Sequence, residues 1–488
     1  MAVRSHTDSL WRSLGLLPEA LAHLHLSERP DPAVNSSFKL GTVAQSSIGL
    51  SALAAAHFHQ LRTGALQTVH VDARHAVIEF KSEAYYALQG RSNNDNALFE
   101  PLAGLYATNN DGHVRIHTNF PHHKQGILNI LGCEPSRESV AKALLQWDAV
   151  EFETEASSQK AVATALRSFA EWDTHPQAKV LIDTPPVVLI RVGDAPKREA
   201  KADAARPLQG IRVLDLTRVL AGPVCGRTLA AHGADVLWIT SPSLPALPLL
   251  DIDTSRGKRT TQLDLNATKD REQLSYLIRD SDVFLQAYRP AGLANKGFGV
   301  EDVARARPGI VYASLTAYGW DGPWKERRGF DSLVQTATGF NVAEAEGYAA
   351  FTGAEFEPPR PLPMQALDHA AGYLLAFGIQ AALCKTITEG GSWEVRVSLA
   401  AVAQWVRSLG RVDPQIAFGE GRPLPPRSME DEELSRMVVE VPVISAQCEP
   451  QKAMKAIRHS AVLSATPVQE GEAPMRLDSH PPQWLPRV

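Results

Sequence analysis

From residue 208 to about 410, short apolar runs alternate with helical patterns, and that alternation most constrains what the chain can fold into. Strands are expected at 211–216, 235–239, 282–285 and 310–315, and helices at 223–232, 274–279 and 300–306. Strands that are apolar on both faces need cover on both sides, and intervening helices supply it. The expectation is an α/β fold: a parallel, Rossmann-like sheet with helices.

The rest of the chain divides around that segment. Residues 1–30 read as a helical leader ending at Arg29-Pro30. Residues 31–194 read as a smaller α+β domain. It opens with an Ala/Leu-rich helix at 46–61, closed by Arg62-Thr63-Gly64, and a strand at 68–72. A strand–turn–strand follows at 106–117 around Asn109-Asn110-Asp111-Gly112, then helices at 139–147 and 159–172. Residues 195–207 are small, polar and bounded by proline, as in a linker between domains. Residues 411–488 are proline-rich and read as an irregular tail.

An internal repeat joins the two halves. Arg62-Thr63-Gly64 before Val69-His70-Val71 mirrors Glu389-Gly390-Gly391 before Val395-Arg396-Val397, each preceded by an Ala-rich helix. The displacement is 395 − 69, or 326 positions, so the chain carries a partial internal duplication. At that displacement Asp368 falls on Thr42.

A net charge of −5 and a pI near 6.4 leave no basic excess to neutralise phosphates, which argues against a nucleic-acid partner. The longest apolar run, 374–384, is short for a bilayer, so no membrane span is expected. The first residues lack the layout of a secretory signal, and the last three are no peroxisomal address. Cys133, Cys225, Cys384 and Cys448 are widely separated, as reduced thiols of a cytoplasmic protein would be.

One carboxylate stands out. In Met364-Gln365-Ala366-Leu367-Asp368-His369-Ala370, Asp368 follows an apolar stretch and precedes a helical run, 373–384, without further charge. Backbone N–H groups and the helix dipole at such a place favour an ionised carboxylate, the state a nucleophile needs. A simple N-cap is the plainer role for the same residue. Generic signatures are missing elsewhere. Ala221-Gly222-Pro223-Val224-Cys225-Gly226 lacks the G-x-G-x-x-G spacing. Gly257-Lys258 has Ile252 where a P-loop needs glycine and Arg259 where it needs Ser or Thr. His113, His117, His122 and His123 do not have ligand spacing, and no metal is expected.

An ordered series of motifs gives Asp368 its context. Gly210-Ile211-Arg212-Val213-Leu214-Asp215-Leu216-Thr217-Arg218-Val219-Leu220-Ala221-Gly222-Pro223 comes first, continued by Leu229-Ala230-Ala231-His232-Gly233-Ala234-Asp235-Val236. Arg256-Gly257-Lys258-Arg259, Tyr288-Arg289-Pro290 and Tyr318-Gly319-Trp320-Asp321-Gly322-Pro323 follow. Over 208–410 this resembles the class III coenzyme A transferases, the family that includes alpha-methylacyl-CoA racemases, and Asp368 stands where that family places its catalytic aspartate. Thr240 and Ala287 depart from the residues common in the family. The N-terminal half is similar to the family's small domain, through Leu105-Tyr106-Ala107-Thr108, Asp111-Gly112-His113-Val114, Arg137 and Glu171-Trp172.

The resemblance implies an acyl-CoA:carboxylate CoA-transferase in which Asp368 carries CoA as an aspartyl thioester, with coenzyme A as substrate and no permanently bound cofactor. It also implies a homodimer acting on an acyl-CoA and a carboxylic acid. Arg256, Lys258 and Arg259 would hold the coenzyme's phosphates, with a solvated basic turn as the alternative. Tyr288 and Arg289 would flank its adenine, and Leu220 and Ala221 would bring backbone close to it. The racemase branch needs a histidine in Arg328-Gly329-Phe330-Asp331-Ser332, where this chain has Phe330, a side chain that accepts no proton. A transferase is therefore preferred to a racemase. A catalytically idle CoA-binding relative is the further alternative.

Overall fold

The structure is a computed structural model and describes residues 2–88, 98–200, 202–444, 453–474 and 476–487; Cys448 lies outside them. Seven strands form the central sheet: β1 (Val188–Gly193), β2 (Arg212–Leu216), β3 (Asp235–Thr240), β4 (Arg259–Gln262), β5 (Val283–Gln286), β6 (Val311–Thr316) and β7 (Ser392–Ser398). Their order is β4-β3-β2-β5-β6-β7-β1. All neighbours are parallel except β1, which runs antiparallel to β7. From β2 onward the parallel strands take the doubly wound order 3-2-1-4-5-6, which opens a crevice where the order reverses, at β2 and β5. Every residue of β2, β5 and β6 is buried, as double-sided cover requires.

Helices α1 (Leu40–Thr63), α2 (Ala221–Ala231), α3 (Asp331–Ala337) and α4 (Ala366–Thr388) position the site. α4 is wedged between α2 and β7 by two glycines. A Cβ on Gly372 would come 2.5 Å from the Ala221 carbonyl oxygen, and one on Gly378 would come 2.4 Å from Val395. The helical run is longer than the apolar stretch alone suggested. Among the described residues α4 is the one helix long and apolar enough to cross a membrane, yet 89% of its most apolar window is buried inside the protein.

α1 packs against α4, and the 326-residue displacement is written into their geometry. The residues before the two helices, Lys39 and Gln365, have (φ, ψ) of (−76°, 59°) and (−77°, 63°). Gly64 and Gly390, just past the C-terminal ends, have φ of 77° and 74°. Each following strand has one parallel and one antiparallel neighbour: Val69–Val71 lies between Leu24–Leu26 and Ala461–Leu463, and β7 lies between β6 and β1. Asp72 and Ser398 then cap the next helices, accepting from the N–H groups of His75 and Ala401. The likeness covers about 39–75 and 365–401.

A second lobe builds a three-stranded antiparallel sheet from Gly104–Ala107, His113–Ile116 and Ala163–Ala165. Its hairpin turns where expected, with Asn110 and Asp111 both at φ 56°. Residues 159–172, read as one helix, instead form the strand Ala163–Ala165 and the short helix Phe169–Thr174. Pairing of Ala163 with Ile116 overrides the local preference.

The expected domain boundaries do not survive. Residues 195–207 are no free tether: Arg198 ion-pairs with Asp282 at 2.9 Å, and the Ala204 and Pro207 carbonyls meet His59 and Arg62. β1, from the N-terminal half, closes the edge of the large sheet. Nor is the tail irregular, because Val438–Val441 and Met454–Ile457 pair in a sheet with Tyr86–Leu88. These pairings join segments hundreds of residues apart, and nothing local announces them.

Candidate active site

α3 and α4 begin side by side. Asp331, the first residue of α3, turns its Oδ2 to the start of α4 and accepts the N–H groups of Leu367 at 2.7 Å and Asp368 at 3.0 Å. Its other oxygen accepts from Gln335. The Asp368 carboxyl accepts none of these N–H groups, which corrects the expectation that helix N–H groups keep it ionised. Burial raises the Asp368 pKa well above the usual carboxylate range, and the nearby Asp331 and Glu83 carboxylates raise it further. Asp331 is also raised by burial, to about 6, against the opposing pull of its own hydrogen bonds. The two carboxyls behave as one pair, with the first proton lost from the Asp331 side, where the donors are. His369 faces away from this pair. Its Nε2 lies 2.9 Å from Glu83 Oε2, and its ring stacks on Phe80.

Asp368 opens into a cavity of about 130 Å³ whose walls come from both halves of the chain. The C-terminal half gives Val219, Leu220, Phe330, Asp331, Ser332 and Gln365, and the N-terminal half gives Phe99, Arg115, His117 and Asn119. The second lobe is held there by Arg115, whose Nε donates to Thr336 Oγ1 at 2.9 Å, and by His117 stacked on Phe330 at 3.8 Å. Burial lowers His117 to about pH 3, and its Nδ1 is buried without a partner. The imidazole is thus a neutral wall, with that nitrogen sealed from the cavity. Val219 has φ 73°, a left-handed conformation costly for a β-branched residue, between β2 and α2.

Two further recesses continue the cavity toward the sheet. One, beyond Val219, is lined by Phe120, Arg218, Trp238, Thr240, Leu244 and Asp251. It shares Thr240, Ser241 and Leu244 with a recess of about 260 Å³ at the carboxyl ends of β2, β3 and β5, where Tyr288 and Lys296 stand. Three adjoining recesses thus lie between the topological switch point and Asp368, neighbours through shared wall residues.

Of the residues picked out for coenzyme A, Tyr288 lines the recess at the carboxyl ends of the strands and Leu220 lines the Asp368 cavity. Ala221 opens α2 beside it, and Arg289 is exposed near Glu326. The basic cluster is placed otherwise. Arg256 is buried between Asp253 and Glu470. Lys258 is buried, 2.8 Å from Asp215 and from the Pro223 carbonyl. Arg259 begins β4 rather than lying on a loop, and it clasps Asp235 while donating to the Gln483 carbonyl. All three cations already have carboxylate partners, which the spacing of the cluster alone cannot reveal. Sequence reasoning missed Arg115, Asp331 and Arg218. Asp331 and Arg218 lay inside quoted motifs without a role, and Arg115 had no local signal.

These features define a doubly wound α/β protein with a buried carboxylate in a cavity next to the recesses at the switch point of its sheet. Over residues 208–413 the chain matches the sequence model for CoA-transferase family III. It is 36% identical over 220 residues to an acetyl-coenzyme A transferase of Hypoxylon pulicicidum, covering 44% of this chain and 36% of that protein. It is 33% identical over 215 residues to a probable fatty acyl-CoA transferase of Mycobacterium tuberculosis, covering 41% and 52%. The crystal structure of a hypothetical protein from M. tuberculosis superposes with a TM-score of 0.36 at 32% identity, over 42% of this chain and 58% of that one. The chain thus spans about a third to a half of the length of these two curated relatives.

Proposed function

We propose that the protein is an acyl-CoA:carboxylate CoA-transferase with Asp368 as the covalent carrier. The observation that carries this reading is the buried Asp368 carboxyl in a cavity that adjoins, through shared wall residues, a row of recesses reaching the switch point of the sheet. Coenzyme A lies with its nucleotide end near Tyr288 and Lys296 and its thioester beside Asp368. The Asp368 carboxylate attacks the thioester carbonyl and the CoA thiolate leaves, giving a mixed anhydride. The thiolate attacks the aspartyl carbonyl, releasing the first acid and leaving an aspartyl-CoA thioester. The acceptor carboxylate attacks that thioester, and the thiolate then attacks the acceptor's carbonyl. A new acyl-CoA forms and the Asp368 carboxylate is regenerated. No proton is consumed, but Asp368 must be ionised at the start, which makes its raised pKa part of the rate. Phe330 itself offers no base for α-proton exchange at the position that the racemase branch gives to histidine.

The test follows radiolabelled CoA between an acyl-CoA and added carboxylic acids, together with solvent deuterium at the α-carbon. CoA exchange lost in Asp368→Ala, and a mass increment of CoA on borohydride-sensitive wild-type protein, are expected. Exchange that persists in Asp368→Ala, or α-deuteration without CoA exchange, overturns the reading.

A further inference from the structure

The wall of the Asp368 cavity contributed by the N-terminal half carries one cation, Arg115. It sits on the strand His113–Ile116, outside the family-matched segment. Its Nε is fixed by Thr336 Oγ1 at 2.9 Å, which sets the direction of the guanidinium. Among the described residues it makes no ion pair within 4 Å, in contrast to Arg167, Arg227 and Arg256, the buried arginines that hold Glu153 and Asp253. Burial lowers its pKa to about 10, so it stays charged at neutral pH. Ser332 and Gln365 line the same cavity, and their side chains make no hydrogen bond to another described residue. A half-buried guanidinium with its terminal nitrogens unspent, beside two neutral donors, is a seat for a carboxylate.

Asp331 acts on Arg115 by its charge but lies beyond ion-pair distance and already accepts two N–H groups and an amide, and Asp368 is the reacting group, so neither fills the seat. Resting on the transferase reading above, we infer that Arg115 receives the non-reacting carboxylate of a dicarboxylic acid, or of its CoA monoester, while the other end reacts at Asp368. A monocarboxylic acid would leave the guanidinium desolvated and unpaired, which is the stronger part of the discrimination.

The test compares kcat/KM for straight-chain dicarboxylic acids and monocarboxylic acids of equal length as CoA acceptors, in the wild type, Arg115→Gln and Arg115→Lys. A charge-assisted pair of this kind is worth roughly 10- to 150-fold. We expect the wild type to prefer dicarboxylic acids by a factor in that range, carried mainly by KM. Arg115→Gln brings the ratio to near one, and Arg115→Lys restores part of it. A wild type that uses monocarboxylic acids equally well, or an Arg115→Gln variant that keeps the preference, overturns the inference and leaves the transferase intact. Absence of Asp368-dependent exchange with every acid overturns both. Circular dichroism and melting temperature of each variant separate lost recognition from lost folding.

Discussion

Asp331 holds the helix terminus that Asp368 would otherwise use: its Oδ2 takes the Leu367 and Asp368 N–H groups at 2.7 and 3.0 Å. The N–H groups 326 residues earlier are also taken by a carboxylate, from a non-equivalent position: Asp31 accepts from Gly41 at 2.8 Å and Thr42 at 3.3 Å. There the hydroxyl of Thr42 donates to Asp31 at 2.5 Å, a bond that a second carboxylate could not make without a proton. Of these two pseudo-equivalent helix starts, α4 presents the carboxyl of Asp368 to a cavity where α1 has the hydroxyl of Thr42 bonded to Asp31.

The pair makes the pH dependence of Asp368 adjustable. Burial is the first cause of its raised pKa and the Asp331 charge the second. Asp331→Asn removes that charge while its amide oxygen still accepts the helix N–H groups. The rising limb of kcat against pH moves to lower pH, and the melting temperature changes by the equivalent of about 1 kcal/mol or less. Asp331→Leu leaves the N–H groups orphaned and costs about 1–2 kcal/mol. A limb that stays in place in Asp331→Asn would show that another group controls it.

Lys258 separates a structural cation from a ligand-binding one. Its ammonium is fully buried against Asp215, and Gly226 makes room for them, since a Cβ there would lie 2.1 Å from Asp215 Oδ2. Lys258→Met strands the Asp215 charge and should cost roughly 3–5 kcal/mol of stability, read by urea unfolding. A variant with wild-type stability but a raised KM for acyl-CoA would return Lys258 to the phosphate role.

Acid should loosen the fold through histidines. Burial lowers His117, His123 and His232 to about pH 3, and each has an Nδ1 buried without a partner. The unfolded chain binds protons to these groups near pH 6.5, whereas the folded chain does not until far lower. Their stabilising contribution is complete above about pH 6.5 and is lost progressively as pH falls toward 3. Melting temperature measured from pH 8 to pH 4 should fall with acidification, and His232→Leu should flatten that fall. An unchanged slope in that variant would remove His232 from the account.

Part of the fold of 208–398 was legible because β3, β5 and β6 are largely apolar and the helices beginning at Ala221 and Val300 start within two residues of their signals, whereas β4, Arg259-Thr260-Thr261-Gln262, is polar and gave no strand signal. Asp368 was legible through the motif order before it, and the repeat through Gly64 and Gly390, which hold φ above +70° at two helix ends. What stayed hidden depends on pairing across long stretches of chain. No local pattern says that Arg115 lines the same cavity as Asp368, that β1 closes a sheet begun after it, or that Glu470 meets Arg256. The basic cluster at 256–259 misled for the same reason, since its carboxylate partners are spread from Asp215 to Glu470.

Glu79 ties three of those distant segments together. Fully buried after α1, it accepts from the Tyr373 hydroxyl of α4 at 2.6 Å, from His459 Nδ1 at 2.7 Å, and from the Ser460 N–H and hydroxyl at 2.7 and 2.6 Å. Burial alone would raise its pKa, but the His459 and Arg227 charges and the hydrogen bonds outweigh it, so the carboxyl is held well below the usual range. A depressed carboxylate contributes stability that is complete above its unfolded pKa near 4.5 and is lost only as pH falls toward the folded value. At neutral pH the contribution is therefore whole. Glu79→Ala leaves Tyr373, His459 and Ser460 donors buried without an acceptor and should cost about 3 kcal/mol or more. Glu79→Gln keeps the shape, loses the charge and should cost less. Because residues 454–463 reach the N-terminal half partly through this carboxylate, limited proteolysis of Glu79→Ala should cut the C-terminal segment before the central sheet unfolds. Simultaneous loss of both would mean that Glu79 stabilises the molecule as a whole and does not dock the tail.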